Sequence, residues 1–222
     1  MPSPIFQRTF RDRREAGRVL AGSLSAYSSR ADVVVLGLAR GGVPVGWELA
    51  AALVAPLDVF LVRKLGVPQW PELAMGAIAS GGAVVINESV VNSLGITDSQ
   101  LREVQERETA ELERRELAYR GGRARLDVHA KVVILVDDGI ATGASMRVAL
   151  AAVRTAGPAR LIVAVPVGPR QVCRALRRDA DDVVCAATPA RFEAVGQVFA
   201  DFHQVSDDEV RELLNSPTTA GH

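Results

Sequence analysis

The sequence predicts an α/β fold of three layers, with a mainly parallel sheet between two helical faces. Three observations carry that expectation. Short β-branched runs alternate along the chain with Ala- and Val-rich helical patterns. The strand-like runs are apolar at successive positions, the pattern of strands buried on both faces. Glycine-bearing loops join several strands to the helices that follow them. With 222 residues, 48% hydrophobic and 23% charged, one compact domain over residues 1–222 is the simplest organisation.

In chain order, strands are expected at 32–38 (DVVVLGL), 57–62, 131–136, 160–167 and 181–186, and helices at 43–54, 144–156 and 169–178. The third helix opens at Pro169, whose fixed φ suits a first helical position. A short run at 83–87 (AVVIN) follows Ser-Gly-Gly, falls outside the alternation and is expected to be an antiparallel edge strand. A long charged helix should start with Thr97 or Asp98 as its cap and stop at Gly121 and Gly122. Glu103 with Arg107, Glu111 with Arg115 and Glu116 with Arg120 are spaced i to i+4, acid first, so this helix reads as a solvated one.

Charge and cysteine content narrow the function. The 26 basic and 26 acidic residues balance to zero, which removes the broad attraction that non-specific nucleic-acid binding needs and argues against a nucleic-acid partner. Cys173 and Cys185 form neither a disulfide framework nor a CxxC, and the start of the chain lacks the apolar core of a signal peptide. No stretch approaches 18 unbroken apolar residues. A cytoplasmic protein with no membrane partner is the expectation. His129, His203 and His222 are remote from one another, and no cluster has zinc-ligand spacing.

The most specific stretch is KVVILVDDGIATGASMRVAL, residues 131–150. It places Asp137 and Asp138 at the carboxyl end of a strand, where ligands of open parallel sheets collect. Gly139, Ile140, Ala141, Thr142, Gly143, Ala144 and Ser145 then lead into a helix whose first N–H groups and dipole favour an anion. Two acids that accept from vicinal hydroxyls beside a phosphate cradle describe a sugar phosphate site. A nucleotide P-loop is ruled out, because Ala144 stands where that motif needs lysine.

This stretch resembles the phosphoribosyl pyrophosphate (PRPP) signature of the type I phosphoribosyltransferases: four aliphatic residues, two acids, a short turn, then Thr-Gly-x-Ser. Gly139 departs from it, standing where the family usually has an aliphatic residue, so the turn is expected to be looser or more closely approached by substrate. The resemblance implies a second anion site for pyrophosphate, matched by LGLARGGVPVGWELA at 36–50. There Ala39, Arg40, Gly41 and Gly42 form the loop: the glycines permit close approach, Arg40 supplies charge, and a cis peptide at Ala39–Arg40 is expected by analogy. Lys64, with Arg63 as the other candidate, occupies a turn similar to the family's pyrophosphate-facing one.

The resemblance places the family's flexible catalytic loop in an insertion at about 66–125, made of the Pro- and Gly-rich segment 66–82 and the charged segment 98–125. It extends over residues 5–215 to one bacterial branch of the family, through RKLG, PELA, YRGGR, DDGIATGA and the tail. In that tail, about 188–222, Phe192, Val195, Phe199 and Phe202 have the spacing of core residues, with stacking on an acceptor base as the alternative. The implied activity is transfer of a phosphoribosyl group from PRPP to a small nitrogenous acceptor. Mg²⁺ would be carried by PRPP, with contact to Asp137 and Asp138 through water and no certain direct protein ligand. No general base stands out, His203 being a weak candidate, and a homodimer is left open. Two other readings remain, a non-catalytic PRPP or nucleotide sensor and a phosphohydrolase. The second lacks an evident nucleophile or metal pair.

Overall fold

The computed structural model describes residues 9–216. His222 and the rest of the tail beyond 216 lie outside the described residues. The chain runs α1 (Arg13–Ser23), β1 (Val33–Leu38), α2 (Gly42–Leu53), β2 (Leu57–Phe60), β3 (Val62–Val67), β4 (Trp70–Ala79), β5 (Val84–Ile86) and α3 (Glu88–Ser93). It continues through α4 (Asp98–Arg120), β6 (Val132–Val136), α5 (Ala144–Thr155), β7 (Arg160–Val167), α6 (Arg170–Leu176), β8 (Asp182–Ala187) and α7 (Asp207–Asn215).

Five parallel strands form the main sheet in the order β2-β1-β6-β7-β8. Period-two alternation divides their side chains between two faces. Val33, Val35, Ile134 and Ile162 meet Leu20 of α1 and Leu49 of α2. Val34, Leu36, Leu135 and Val163 meet Met146 of α5 and Leu176 of α6. Both faces are covered, so the continuous apolar runs were read correctly as buried strands, and the three-layer α/β class holds.

A second sheet, antiparallel β3-β4-β5, stands apart from the first. Its apolar side chains, among them Leu65, Met75 and Ile78, pack with Val104 and Leu112 of α4 and with Val210 and Leu214 of α7. The 83–87 run is therefore corrected: β5 is antiparallel and at an edge, but it pairs with β4 and not with the parallel sheet. The 57–62 strand also stops at Phe60, and Val62 begins β3 in the second sheet.

The segment 66–82, expected as a flexible loop, is largely regular strand. Its Pro and Gly residues mark irregular pairing between β3 and β4, where the register shifts on either side of Gly66. A Cβ on Gly66 would lie 3.0 Å from Pro71 Cα, so only glycine fits that approach.

The long helix is bounded as its sequence implies. Thr97 accepts from the Gln100 N–H at 3.3 Å, Gln100 Oε1 accepts from the Thr97 N–H at 3.0 Å, and Gly121 ends α4 at φ 59°. One face of its C-terminal end is not solvated, however. Glu116 and Arg120 are buried, and Arg120 donates from Nε to Asp58 Oδ1 at 2.8 Å and from Nη2 to the Val59 carbonyl at 2.8 Å. A one-dimensional i,i+4 count cannot distinguish a surface pair from one buried against a strand. The helices α1 and α7 were likewise absent from the sequence-based expectation. The tail is sewn to the N-terminal segment by Phe10 N–H to the Val198 carbonyl at 2.7 Å and Ala200 N–H to the Phe10 carbonyl at 2.8 Å.

Candidate active site

Strand order reverses between β1 and β6: β2 lies beyond β1 on one side, β7 beyond β6 on the other. The crevice at such a switch point is where open α/β sheets bind ligands. The loops 39–42 and 137–145 both open there, because β1 and β6 are parallel neighbours in register from Val33–Val132 to Gly37–Val136.

The 39–42 loop carries the expected cis peptide at Ala39–Arg40. Its glycines fit against the other loop: a Cβ on Gly41 would overlap the Asp138 carboxylate, and one on Gly42 would overlap the Val136 carbonyl and lie 2.9 Å from Asp137 Cα. Because the obstacle at Gly42 is backbone, Gly42→Ala should force the two loops apart and cost about 1–3 kcal/mol, the usual range for overpacking. Gly22→Ala in α1 meets nothing within 4 Å and should hold or raise stability. Thermal melts of the two variants check this, and equal melting temperatures would refute the packing argument.

In the 137–145 loop, Ile140 is buried and its N–H donates to the Val167 carbonyl at 2.8 Å, which ties the loop to β7. Ala141, Thr142, Ala144 and Ser145 are exposed. Gly143 is the N-cap of α5 at φ 76° with no side-chain cap, and Thr142 Oγ1 lies 3.4 Å from the Ala144 nitrogen. The first turn of α5 thus faces solvent with N–H groups open to an anion. Arg147, unremarked in the sequence, donates from Nη1 to the Thr142 carbonyl at 3.2 Å and adds a cation to this rim. Gly139 is not a loose position. A Cβ there would lie 2.9 Å from Val167 Cγ1 and overlap Val195, so the tail, rather than a substrate, makes the close approach.

The two acids are held differently. Asp137 Oδ1 accepts the Asp138 N–H at 2.9 Å, and Asp138 Oδ2 accepts from Arg13 Nε at 2.8 Å. Neither Asp137 Oδ2 nor Asp138 Oδ1 has a hydrogen-bond partner among the described residues. Burial, then repulsion from Asp138, pushes the Asp137 carboxyl well above the usual range. Burial raises Asp138 too, against the opposing hydrogen bond and charge of Arg13. Arg13 sits at the start of α1, a helix the sequence reading missed. Its signal was one of several arginines in an N-terminal run of mixed charge, 125 positions from its partner, which no local pattern reveals.

Arg40 and Lys64 come together as expected, lining one cavity of about 850 Å³ with Arg63, Arg107 and Tyr119. In this structure both have acidic neighbours: Arg40 Nη1 is 3.5 Å from Asp207 and Lys64 Nζ is 3.2 Å from Glu72. Tyr119 donates to Asp207 at 2.6 Å, and burial followed by that bond lifts its hydroxyl to about 12. Arg63 bonds Glu108 of α4 at 2.8 Å, which leaves Lys64 the more exposed of the two candidates.

Phe199 belongs to the core with Phe10 and Val198, and Phe192 and Val195 pack against it. Phe202 is half-exposed and lies under the Arg13 guanidinium, 3.9 Å from ring centroid to Cζ. The His203 ring pairs with Asp201 and Glu209 at 3.2 and 3.3 Å, and both carboxylates raise its pKa, Asp201 the more. No helix among the described residues is long and apolar enough to cross a membrane.

Comparison with known proteins agrees with this geometry. A family model described as a phosphoribosyl transferase domain matches residues 14–201. Two curated relatives from Mycobacterium tuberculosis, strains CDC 1551 and H37Rv, are each named "Putative phosphoribosyl transferase" and are 47% identical over 208 residues, 94% of this chain. That match covers 47% of their length, so the chain spans about half of these relatives. The crystal structure of TT1426 from Thermus thermophilus superposes with a TM-score of 0.79 at 42% identity, over 93% of this chain and 97% of that one.

Proposed function

The chain belongs to the phosphoribosyl transferase family, and from that premise we propose that it transfers a 5-phosphoribosyl group from PRPP to a nitrogenous acceptor, a nucleobase or related compound, with release of pyrophosphate. The observation that carries this reading is the pair Asp137 and Asp138, each with one carboxylate oxygen committed within the protein and one free, beside the open first turn of α5. Two free oxygens on adjacent residues suit two vicinal hydroxyls, and the helix terminus suits the 5′-phosphate of the same sugar.

Departure of pyrophosphate leaves positive charge at the ribose C1 and its ring oxygen, and the acceptor nitrogen attacks the opposite face. The protein's contribution is positioning and electrostatics. Asp137 and Asp138 hold the ribose hydroxyls and place negative charge near the developing cation. Gly139 to Ser145 anchor the 5′-phosphate. Arg40 and Lys64, with the backbone of Ala39, Gly41 and Gly42, receive pyrophosphate, which would take over from Asp207 and Glu72 as their counter-charge. The donor set fits Mg²⁺, which takes oxygen from one or two carboxylates together with substrate phosphates. Asp137 and Asp138 would hold it, directly or through water, and when bound it neutralises charge on the leaving pyrophosphate.

The deciding experiment incubates the protein with PRPP, Mg²⁺ and a panel of purines, pyrimidines and small amines, reading pyrophosphate and new glycosidic product together. Stoichiometric formation of both with at least one acceptor is expected. Saturable PRPP binding with no product across the panel would favour a sensor, and steady phosphate release without acceptor a hydrolase.

A further inference from the structure

We propose that Arg13 is a positioning residue of the phosphoribosyl site, holding one oxygen of Asp138 so that the acid pair presents one free oxygen from each residue to the ribose hydroxyls. The inference rests on the proposed function and adds to it a residue from a remote helix.

The side chain is 8% exposed and makes, among the described residues, two hydrogen bonds and one ring contact: Nε to Asp138 Oδ2 at 2.8 Å, Nη1 to the His203 carbonyl at 2.7 Å, and the Phe202 ring at 3.9 Å. The carbonyl and the ring fix the guanidinium plane from the tail side, so the direction of Nε is determined by groups outside the acid loop. From Nε, a single bond selects Oδ2 of Asp138. The other constraint comes from the 39–42 loop, since Gly41 lies against the same carboxylate where no Cβ fits. Held between the two, the Asp138 carboxylate has one orientation, with Oδ1 free.

Its neighbour is fixed by local backbone, Asp137 Oδ1 accepting the Asp138 N–H at 2.9 Å. Arg13 also brings one positive charge to two adjacent carboxylates, halving the net charge that the site must desolvate around a sugar.

A simpler role is a strut between α1 and the tail. That connection, however, already exists in backbone hydrogen bonds without Arg13: Phe10 N–H to Val198, Ala200 N–H to Phe10 and Asp201 N–H to the Arg11 carbonyl, at 2.7 to 2.8 Å. A strut also has no need of Asp138, because the His203 carbonyl and Phe202 are its tail contacts.

The test is a thermodynamic cycle on the full chain, measuring PRPP affinity in the presence of Mg²⁺ by calorimetric titration, and melting temperature separately, for wild type, Arg13→Gln, Asp138→Asn and the double variant. Arg13→Gln should weaken PRPP binding at least about tenfold, and the double variant should bind no more weakly than Asp138→Asn alone, since Arg13 acts through that carboxylate. Should Arg13→Gln not fold, Arg13→Lys decides. It keeps the charge but cannot hold Asp138 and the His203 carbonyl in one plane, so affinity should still fall several-fold.

Arg13→Gln that melts early yet binds PRPP like the wild type, or an additive cycle, would make Arg13 a strut and overturn the inference while leaving the transferase reading intact. No PRPP binding by the wild type would sink both.

Discussion

Asp137→Asn should reduce PRPP affinity or turnover at least about tenfold and leave the unliganded protein as stable as the wild type or more so. The first half follows from chemistry: asparagine keeps the size and one acceptor but removes a charge-assisted hydrogen bond, which typically contributes about 1.5–3 kcal/mol, and 1.4 kcal/mol is a factor of ten. The second half follows from the folded-state titration. Burial and Asp138 raise the Asp137 carboxyl above its ordinary value, so its ionised form is less favourable in the folded chain than in the unfolded one. A group shifted in this sense contributes stability that is fully present below its unfolded pKa and is lost as pH rises through its folded pKa. As pH rises from the ordinary carboxyl range through the raised folded-state value, the wild type loses that contribution, and asparagine, with nothing to ionise, does not. Melts of the apo protein across acid to neutral pH should therefore rise on acidification through this window for the wild type and less so for Asp137→Asn, in the range before global acid unfolding.

Asp138→Asn should behave otherwise, which is why neutralising both acids at once is the wrong experiment. It removes the one carboxylate that, among the described residues, lies within ion-pair range of Arg13, a side chain 8% exposed, and loss of one partner of a buried pair costs about 3–5 kcal/mol. Ligand response and stability should fall together in Asp138→Asn, and only the ligand response in Asp137→Asn. If Asp137→Asn retains the full PRPP-induced rise in melting temperature, these acids cap a turn and hold no sugar.

The contrast between the two acids shows what the sequence could and could not reveal. Adjacent acids, glycines and hydroxyls at 137–145 and 39–42 were legible because each loop is contiguous in the chain and its chemistry is local. The parallel strands were legible for the same reason, since burial on both faces makes a continuous apolar run such as VVILV. Arg13, α7 and the second sheet were not, because each is defined by a partner remote in sequence: Asp138 for Arg13, Leu65 and Val104 for Val210 and Leu214 of α7, and Val104 and Leu112 of α4 for that sheet. Proline and glycine at 66–82 read as loop where the chain is largely strand, since the same residues that punctuate loops also occur at irregular strand pairings.

Arg120→Met should be the most destabilising single change among the charged residues of α4. Arg120 is 5% exposed and reaches Asp58, itself 6% exposed, through Nε at 2.8 Å. Its Nη1 lies 3.3 Å from Glu116 Oε1, a buried oxygen with no hydrogen bond, and Arg125 pairs with the other Glu116 oxygen. Without Arg120, both carboxylates remain desolvated: Glu116 keeps its pair with Arg125, and Asp58 keeps, among the described residues, the Val59 and Leu126 N–H groups. The expected cost is about 3–5 kcal/mol, which for a domain of this size lowers the melting temperature by roughly 10 °C. Arg114→Ala is the matched comparison on the same helix: its pair with Glu111 is 65% exposed on the arginine side, where such pairs contribute no more than about 1 kcal/mol. The consequence reaches the site, because α4 carries Arg107, Arg115 and Tyr119 into the wall of the cavity shared by Arg40 and Lys64. Hydrogen exchange should accordingly rise along the last turns of α4 in Arg120→Met and stay unchanged in Arg114→Ala. Matching melts and matching exchange in the two variants would mean that apolar contacts such as Leu112 and Tyr119, and not the buried charges, hold this wall against the sheet.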